Sequence, residues 1–224
     1  MSSPFYAGPM VDRLDGTVDT IGDDTNDGTN DDTVAERLVD SARRLLADGG
    51  LHQVTMRSVA VGAGVSTMNV YSRFGGKDGL LDVLYREGFD TLGQQLAAVD
   101  EPDLPGQIRA FAATYRAFAL EHPARYELLF GGVARNFQPS EASADVARGV
   151  LATIARRFDV AIERGELQLP AGVDAVQLAA MLWAMCHGAL VFETGSVADS
   201  LLDWSVVSAA GVDALIDRYC HHPT

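Results

Sequence analysis

The sequence predicts an all-α fold in two parts, a three-helix N-terminal head carrying a helix-turn-helix and a larger C-terminal helical bundle. Three observations lead there. Residues 55–81, TMRSVAVGAGVSTMNVYSRFGGKDGLL, hold Ala60, Gly64 and Val70 at the spacing that two short helices need to meet at roughly 90–120°. A helical period in the residues just before that stretch supplies a supporting helix. From Gln107 onward the chain reads as successive amphipathic helices separated by Pro and Gly stops. The 224 residues suffice for one ordinary domain or two small ones, and 47% hydrophobic residues suffice for a full core.

Residues 1–32 are rich in Asp, Thr and Gly and hold few large apolar groups, so a disordered acidic tail is expected there. The opening residues lack the basic head and apolar centre of a secretory signal. The Asp run does not form a calcium loop, because the alternating ligand pattern and the distal Glu are absent. The first helix is expected from Thr33 to Asp48. Val34, Leu38, Ala42, Leu45 and Leu46 share one face, Asp32 or Thr33 caps it, and Gly49-Gly50 ends it. Leu51 and Val54 pack the link that follows.

Thr55 is a natural N-cap for a second helix, Met56–Ala63. The small side chain of Ala60 permits a close crossing. Gly64 supplies the positive φ of the turn, and Val70 packs back into the angle. Ser66 is expected as the N-cap of a third helix, Thr67–Phe74, with Val65, Val70 and Phe74 as core. The early outward positions of that helix are Ser66, Thr67, Met68 and Asn69. Asn pairs bidentately with adenine, Thr and Met meet a thymine methyl, and Arg73 reaches a guanine or a phosphate. Gly75-Gly76-Lys77 is not a nucleotide-binding loop, since the positions that need an earlier Gly and a following Ser or Thr hold Tyr71 and Asp78.

The run from Gly64-Val65-Ser66 through Val70-Tyr71-x2-Phe74-x2-Lys77-x2-Leu80 resembles the DNA-binding domain of the TetR family of bacterial transcriptional regulators, over Val34 to about Leu84. The resemblance implies that the third helix is a recognition helix for the major groove. It implies phosphate contacts from Tyr71 and Lys77 and backbone contacts at Thr55 and Arg57. It also implies a DNA-binding domain at 33–80 and a ligand-binding and dimerisation domain at 81–224.

Net charge argues at first against nucleic acid, because 17 basic residues face 31 acidic ones, a formal charge of -14. Its distribution weakens the objection, and an acidic balance is also common among soluble bacterial proteins. Residues 1–32 carry Arg13 against eight Asp, whereas residues 33–80 carry six basic residues against four acids. The head is thus the only non-acidic segment, and repulsion of the body would turn it towards a duplex.

A helix from Lys77 to about Val99 follows, with Leu80, Leu81, Leu84, Tyr85, Phe89, Leu92 and Leu96 as its apolar stripe. Glu101–Gly106 reads as a linker. Helices are then expected over Ile108–Leu120, Ala124–Phe130, Glu141–Arg164, Asp174–Phe192 and Val206–Cys220, with a loop over Gly131–Ser140. The stripe of the long one is Val146, Val150, Ile154, Phe158 and Ile162. Phe118–Phe130 (FALEHPARYELLF) and Trp183-x3-His187-Gly188-x4-Glu193 resemble the carboxy-terminal domain of a TetR subgroup named for its Trp-His-Gly motif. That resemblance implies a ligand-binding and dimerisation body rather than an enzyme. Phe89, Tyr115, Phe118, Tyr126, Phe130, Trp183 and His187 are the candidate pocket walls. Aromatics at helical spacing also serve as plain core, and His187 as a hydrogen-bonded core histidine. Cys186 and His187 point about 100° apart on a helix and form no joint site. Met181, Leu182, Met185 and Ala189 with Val206, Val207, Leu215 and Ile216 offer a dimer surface.

The expectation is a cytoplasmic, homodimeric regulator, a repressor released from a palindromic double-stranded DNA operator by a small-molecule effector. Its two heads would lie about 34–36 Å apart. No cofactor, metal, catalytic set or membrane partner is expected. Cys186 and Cys220 read as reduced core thiols, and no run of about 18 apolar residues suggests a membrane span. Two alternatives stay open. One is a ligand-binding helical protein with weak or lost DNA binding, since Lys77 is the sole lysine and the recognition helix has only Arg73. The other is an all-helical enzyme, for which the sequence holds no nucleophile motif or acid–base spacing.

Overall fold

The computed structural model describes residues 26–131, 137–195 and 202–220. Among them the elements are helical: α1 (Asn26–Gly49), α2 (Met56–Ala63), α3 (Thr67–Phe74), α4 (Lys77–Ala97), α5 (Leu104–Glu121), α6 (Pro123–Phe130), α7 (Glu141–Glu163), α8 (Ala175–Thr194) and α9 (Trp204–Tyr219). The all-α expectation holds. The helix-turn-helix boundaries agree with the sequence reading, because the local signals there are strong.

Two helix starts and one helix face differ most from the expectation. α1 begins at Asn26, inside the segment expected as tail. Acidic residues are favoured in the first turns of a helix by its dipole, so an Asp-rich stretch does not exclude helix. The rest of the expected tail, residues 1–25, lies outside the described residues, as does 132–136 of the expected loop. α5 begins at Leu104 within the expected linker, because Asp103 caps it by accepting from Gly106 N at 2.6 Å and Pro105 is tolerated in the first turn. In α7 Ala161 is buried and Ile162 exposed, reversing the expected stripe at its last position.

Two hydrophobic cores divide the molecule. The head core gathers Leu38, Ala42 and Leu46 of α1, Val59 and Ala60 of α2, Val70 of α3, and Leu80, Leu81 and Leu84 of α4. Leu128 of α6 and Phe137 join it. The body core holds Phe89, Leu92 and Leu96 of α4 with Ile108, Phe111 and Phe118 of α5, Phe158 of α7, Leu178 and Leu182 of α8 and Ile216 of α9. α4 therefore belongs to both. It packs most extensively on α7. Asp82 of α4 clamps the start of α7, accepting from Ser140 N at 2.8 Å, Ser140 Oγ at 2.8 Å and Ser143 Oγ at 2.9 Å. Partial burial raises the Asp82 carboxyl pKa, but these hydrogen bonds and the charge of Arg86 outweigh it and hold the pKa below the ordinary carboxylate value.

By length and hydropathy alone α8 could cross a membrane, which the count of uninterrupted apolar residues does not anticipate. Leu178, Ala179, Leu182, Cys186 and Leu190 bury one side of it among α5, α7 and α9, as in the core helix of a folded domain. Its other side exposes Val176, Met181, Trp183, Val191 and Phe192, so a helix this apolar, which would be expected to be buried on several sides, is buried on one. The proposed dimer set divides the same way. Leu182, Ala189, Leu215 and Ile216 are buried within the chain, whereas Met181, Val206 and Val207 remain exposed. Both cysteines are buried and unpaired.

Two predictions follow from the α3–α4 and α4–α7 junctions. A Cβ at Gly79 would lie 1.8 Å from the Phe74 carbonyl oxygen, a backbone atom that cannot step aside. Gly79→Ala is expected to cost about 1–3 kcal/mol in urea unfolding through a displaced α3. Asp82→Ala is expected to cost about 1–3 kcal/mol at pH 7 by leaving the Ser143 hydroxyl short of its charged acceptor. Because the native pKa of Asp82 is depressed, that stabilisation is complete above the unfolded carboxyl pKa of about 3.9. It disappears as pH falls through the lower native value. Wild type and variant should then unfold alike in acid.

Candidate nucleic-acid interface and body cavity

The helix-turn-helix is built from local signals. Thr55 Oγ1 accepts from Ser58 N at 3.1 Å while Ser58 Oγ accepts from Thr55 N at 3.0 Å, a reciprocal capping box that starts α2. Gly64 takes φ 67°, and Val65 N donates to Ala60 O at 3.0 Å, closing α2 and turning the chain into α3. Arg37 of α1 donates to the Ala63 carbonyl and ties the same helix end to the supporting helix. Ser66 occupies the N-cap of α3, but its side chain makes no capping bond. It accepts instead from Asn69 Nδ2 at 3.0 Å. The Gly75-Gly76 pair, correctly set aside as a nucleotide loop, forms the turn from α3 to α4.

The outward face of α3 presents Thr67, Met68, Tyr71 and Ser72. Met68 and Tyr71 are the most telling, 71% and 55% exposed large apolar side chains on an otherwise well-packed head. Ser72 was not singled out by sequence, nor was Val61 of α2, also exposed. Asn69 is not held ready for a base. Arg73 Nη1 donates to its Oδ1 at 2.7 Å while its Nδ2 is given to Ser66, so both groups needed for adenine are engaged within α3. Arg57 and Lys77 are exposed and make no hydrogen bond or ion pair among the described residues. Two further head arginines serve the scaffold. Arg37 holds α2, and Arg43 forks onto Glu87 of α4 at 2.8 and 2.6 Å and pairs with Asp40.

The body holds a cavity of about 350 Å³ bounded by α4, α5, α6, α7 and α8. Phe89, Tyr115, Phe130 and Trp183 line it as expected, joined by Tyr85, Leu92, Leu96, Phe111, Ala112, Leu129, Ala147, Arg148, Val150, Leu151, Ile154, Leu182 and Cys186. Three expected wall residues are elsewhere. Phe118 is fully buried in the core, its ring 5.5 Å from that of His122. Tyr126 and His187 sit behind Tyr115 as a polar triad. His187 Nδ1 lies 2.6 Å from Tyr126 Oη and 2.9 Å from Tyr115 Oη, and the two hydroxyls are 3.2 Å apart. Burial lowers the His187 pKa and raises those of Tyr115 and Tyr126. All three are therefore neutral near pH 7. The arrangement that satisfies them keeps the ring proton on Nε2, with Tyr126 Oη donating to Nδ1 at 2.6 Å and Tyr115 Oη donating to Tyr126 Oη at 3.2 Å. Cys186 is a protonated wall thiol, its pKa raised by burial to about 11. At the end of α8, Glu193 takes a two-pronged contact from Arg116 of α5, with Nε to Oε2 at 2.9 Å. The residues of the Trp-His-Gly phrase thus do different jobs: Trp183 is wall, His187 is in the triad and Glu193 holds α5.

Known proteins share this architecture. Residues 38–84 match the family described as bacterial regulatory proteins, tetR family, and residues 108–219 match the tetracyclin repressor-like C-terminal domain. Neither description names the Trp-His-Gly subgroup. The chain is 23% identical to the HTH-type transcriptional regulator Rv1816 of Mycobacterium tuberculosis, over 84% of this chain and 93% of the relative. A TetR-family transcriptional regulator from Pectobacterium atrosepticum superposes with a TM-score of 0.68 at 20% identity, covering 89% of this chain and 100% of that one. A TetR variant from Acinetobacter baumannii, in complex with minocycline, superposes with a TM-score of 0.56 at 20% identity, covering 81% and 93%. The helix-turn-helix, the helical body and both family matches lead to one conclusion: the chain belongs to the TetR family and is a DNA-binding transcriptional regulator, not an enzyme.

Proposed function

We propose that the protein is a homodimeric cytoplasmic repressor that leaves a palindromic operator when a small molecule occupies the body cavity. The observation that carries the regulated part of this reading is the sharing of helices between the two cores. α4 gives Leu80, Leu81 and Leu84 to the head and Phe89, Leu92 and Leu96 to the body. α6 gives Leu128 to the head core while Leu129 and Phe130 line the cavity. A ligand that spreads the cavity walls therefore displaces the helices on which the head rests. The coupling expected of such a device is about 1–3 kcal/mol. That the Acinetobacter structure holds minocycline supports a small-molecule ligand for a chain of this fold.

On the DNA side, α3 enters the major groove and Thr67 and Met68 meet base edges. Asn69 reads an adenine only by exchanging its bonds to Arg73 and Ser66. Tyr71, Lys77, Arg57 and the Thr55 helix start contact phosphates. Two copies associate through the exposed faces of α8 and α9, including Met181 and Val206. Phe192 and Trp204, stacked at 4.6 Å, join those two helices. A two-fold pair of such faces makes a four-helix contact.

Two measurements test this. In gel shifts with the DNA upstream of its own gene, wild type should bind at nanomolar concentration. Tyr71→Phe/Lys77→Ala should bind at least tenfold more weakly, with a salt slope shallower by about 1. Binding indifferent to those residues would refute the assigned face. Met181→Glu/Val206→Glu should sediment as a monomer with an unchanged helical spectrum and lose operator affinity. A dimer that survives both charges would place the interface elsewhere.

A further inference from the structure

Resting on the effector reading above, we propose that the body cavity takes an uncharged, chain-like hydrocarbon molecule and discriminates against its carboxylate counterpart. The shape comes from α4. Tyr85, Phe89, Leu92 and Leu96 line the cavity along one helix face, a length of about 16 Å at the helical rise. That extent suits an elongated molecule. Aliphatic walls from Leu151 and Ile154 face Leu92 and Leu96 at one end, and the rings of Phe130 and Trp183, 5.8 Å apart, stand near Phe89 at the other.

Charge selection comes from what the walls lack. Among the described residues Arg148 is the sole charged wall residue, and its guanidinium is held by Glu141 at 2.7 Å and by Asp145. A carboxylate entering beside it would give up hydration among apolar walls and meet two carboxylates for one cation. The polar wall groups away from that rim are neutral: the Tyr85 hydroxyl, the Tyr115 hydroxyl with its Tyr126–His187 partners, the Trp183 indole N–H and the Cys186 thiol. They accommodate a hydroxyl or carbonyl at no ionic cost.

The test uses calorimetric titration of the purified full-length protein with n-alkanols from hexanol to dodecanol, and with decanoate at pH 8. Affinity should rise about fourfold per methylene until the cavity is full. 1-Decanol should bind at least tenfold more tightly than decanoate. Ala112→Phe and Ala147→Phe, which narrow the cavity, should each weaken decanol at least tenfold while melting near wild type. Decanoate binding as tightly as decanol, no alkanol binding, or decanol binding unchanged in a folded variant would each overturn the proposal. If neither variant folds, the alcohol–carboxylate comparison on wild type still decides it. A parallel gel shift separates this inference from the one beneath it. Decanol that binds without releasing DNA leaves the ligand class standing and removes the effector role. Release by another compound, with no alkanol binding, does the reverse.

Discussion

One helix has to satisfy two cores. α4 turns Leu80, Leu81 and Leu84 into the head and Phe89, Leu92 and Leu96 into the body, with no polar break between the two sets. Neither core closes without it, so the position of the head is set by how the body packs. The start of this helix is fixed sterically at Gly79 against the Phe74 carbonyl, and its first turns are fixed electrostatically by Asp82 at the head of α7. A close-packed interior passes displacement along rather than absorbing it. The junction between head and body is therefore stiff, which is what a helix needs if it is to carry a change of position.

Electrostatics divide the basic residues of the head between scaffold and surface. Arg37 and Arg43 are spent on Ala63 O and Glu87, contacts that orient α2 and lock α1 to α4. Arg57 and Lys77 stay exposed beside α3. Arg44 is exposed as well. On a chain of formal charge -14, a few exposed cations give little non-specific attraction to a polyanion. Within α3, Arg73, Asn69 and Ser66 are bonded to one another.

In the body, polarity is concentrated rather than scattered. Three neutral groups, Tyr115, Tyr126 and His187, satisfy one another and join α5, α6 and α8 across the cavity wall. Burying such groups separately would cost more than burying them as a bonded set. The arrangement leaves the remaining walls almost wholly apolar while pinning the short helix that touches both cores.

The sequence by itself determined the all-α class, the bounds of α2 and α3, the turn at Gly64 and the family. These rest on short-range rules of capping, positive φ and fixed steric spacing, which act between neighbours in the chain. It also supplied four of the seven expected cavity walls, because helical periodicity says that Phe89, Tyr115, Phe130 and Trp183 point inward. It did not say what lies across from them. Only the tertiary structure decided that Phe118 is core and that Tyr126 and His187 stand behind the wall. The same holds for Leu182 and Ile216 facing their own subunit, and for Arg37 and Arg43 each holding another helix. The hydrogen bonds behind the triad and the two arginines join residues 11 to 72 apart in the chain. Periodicity fixes which side of a helix is buried, but not which neighbour buries it.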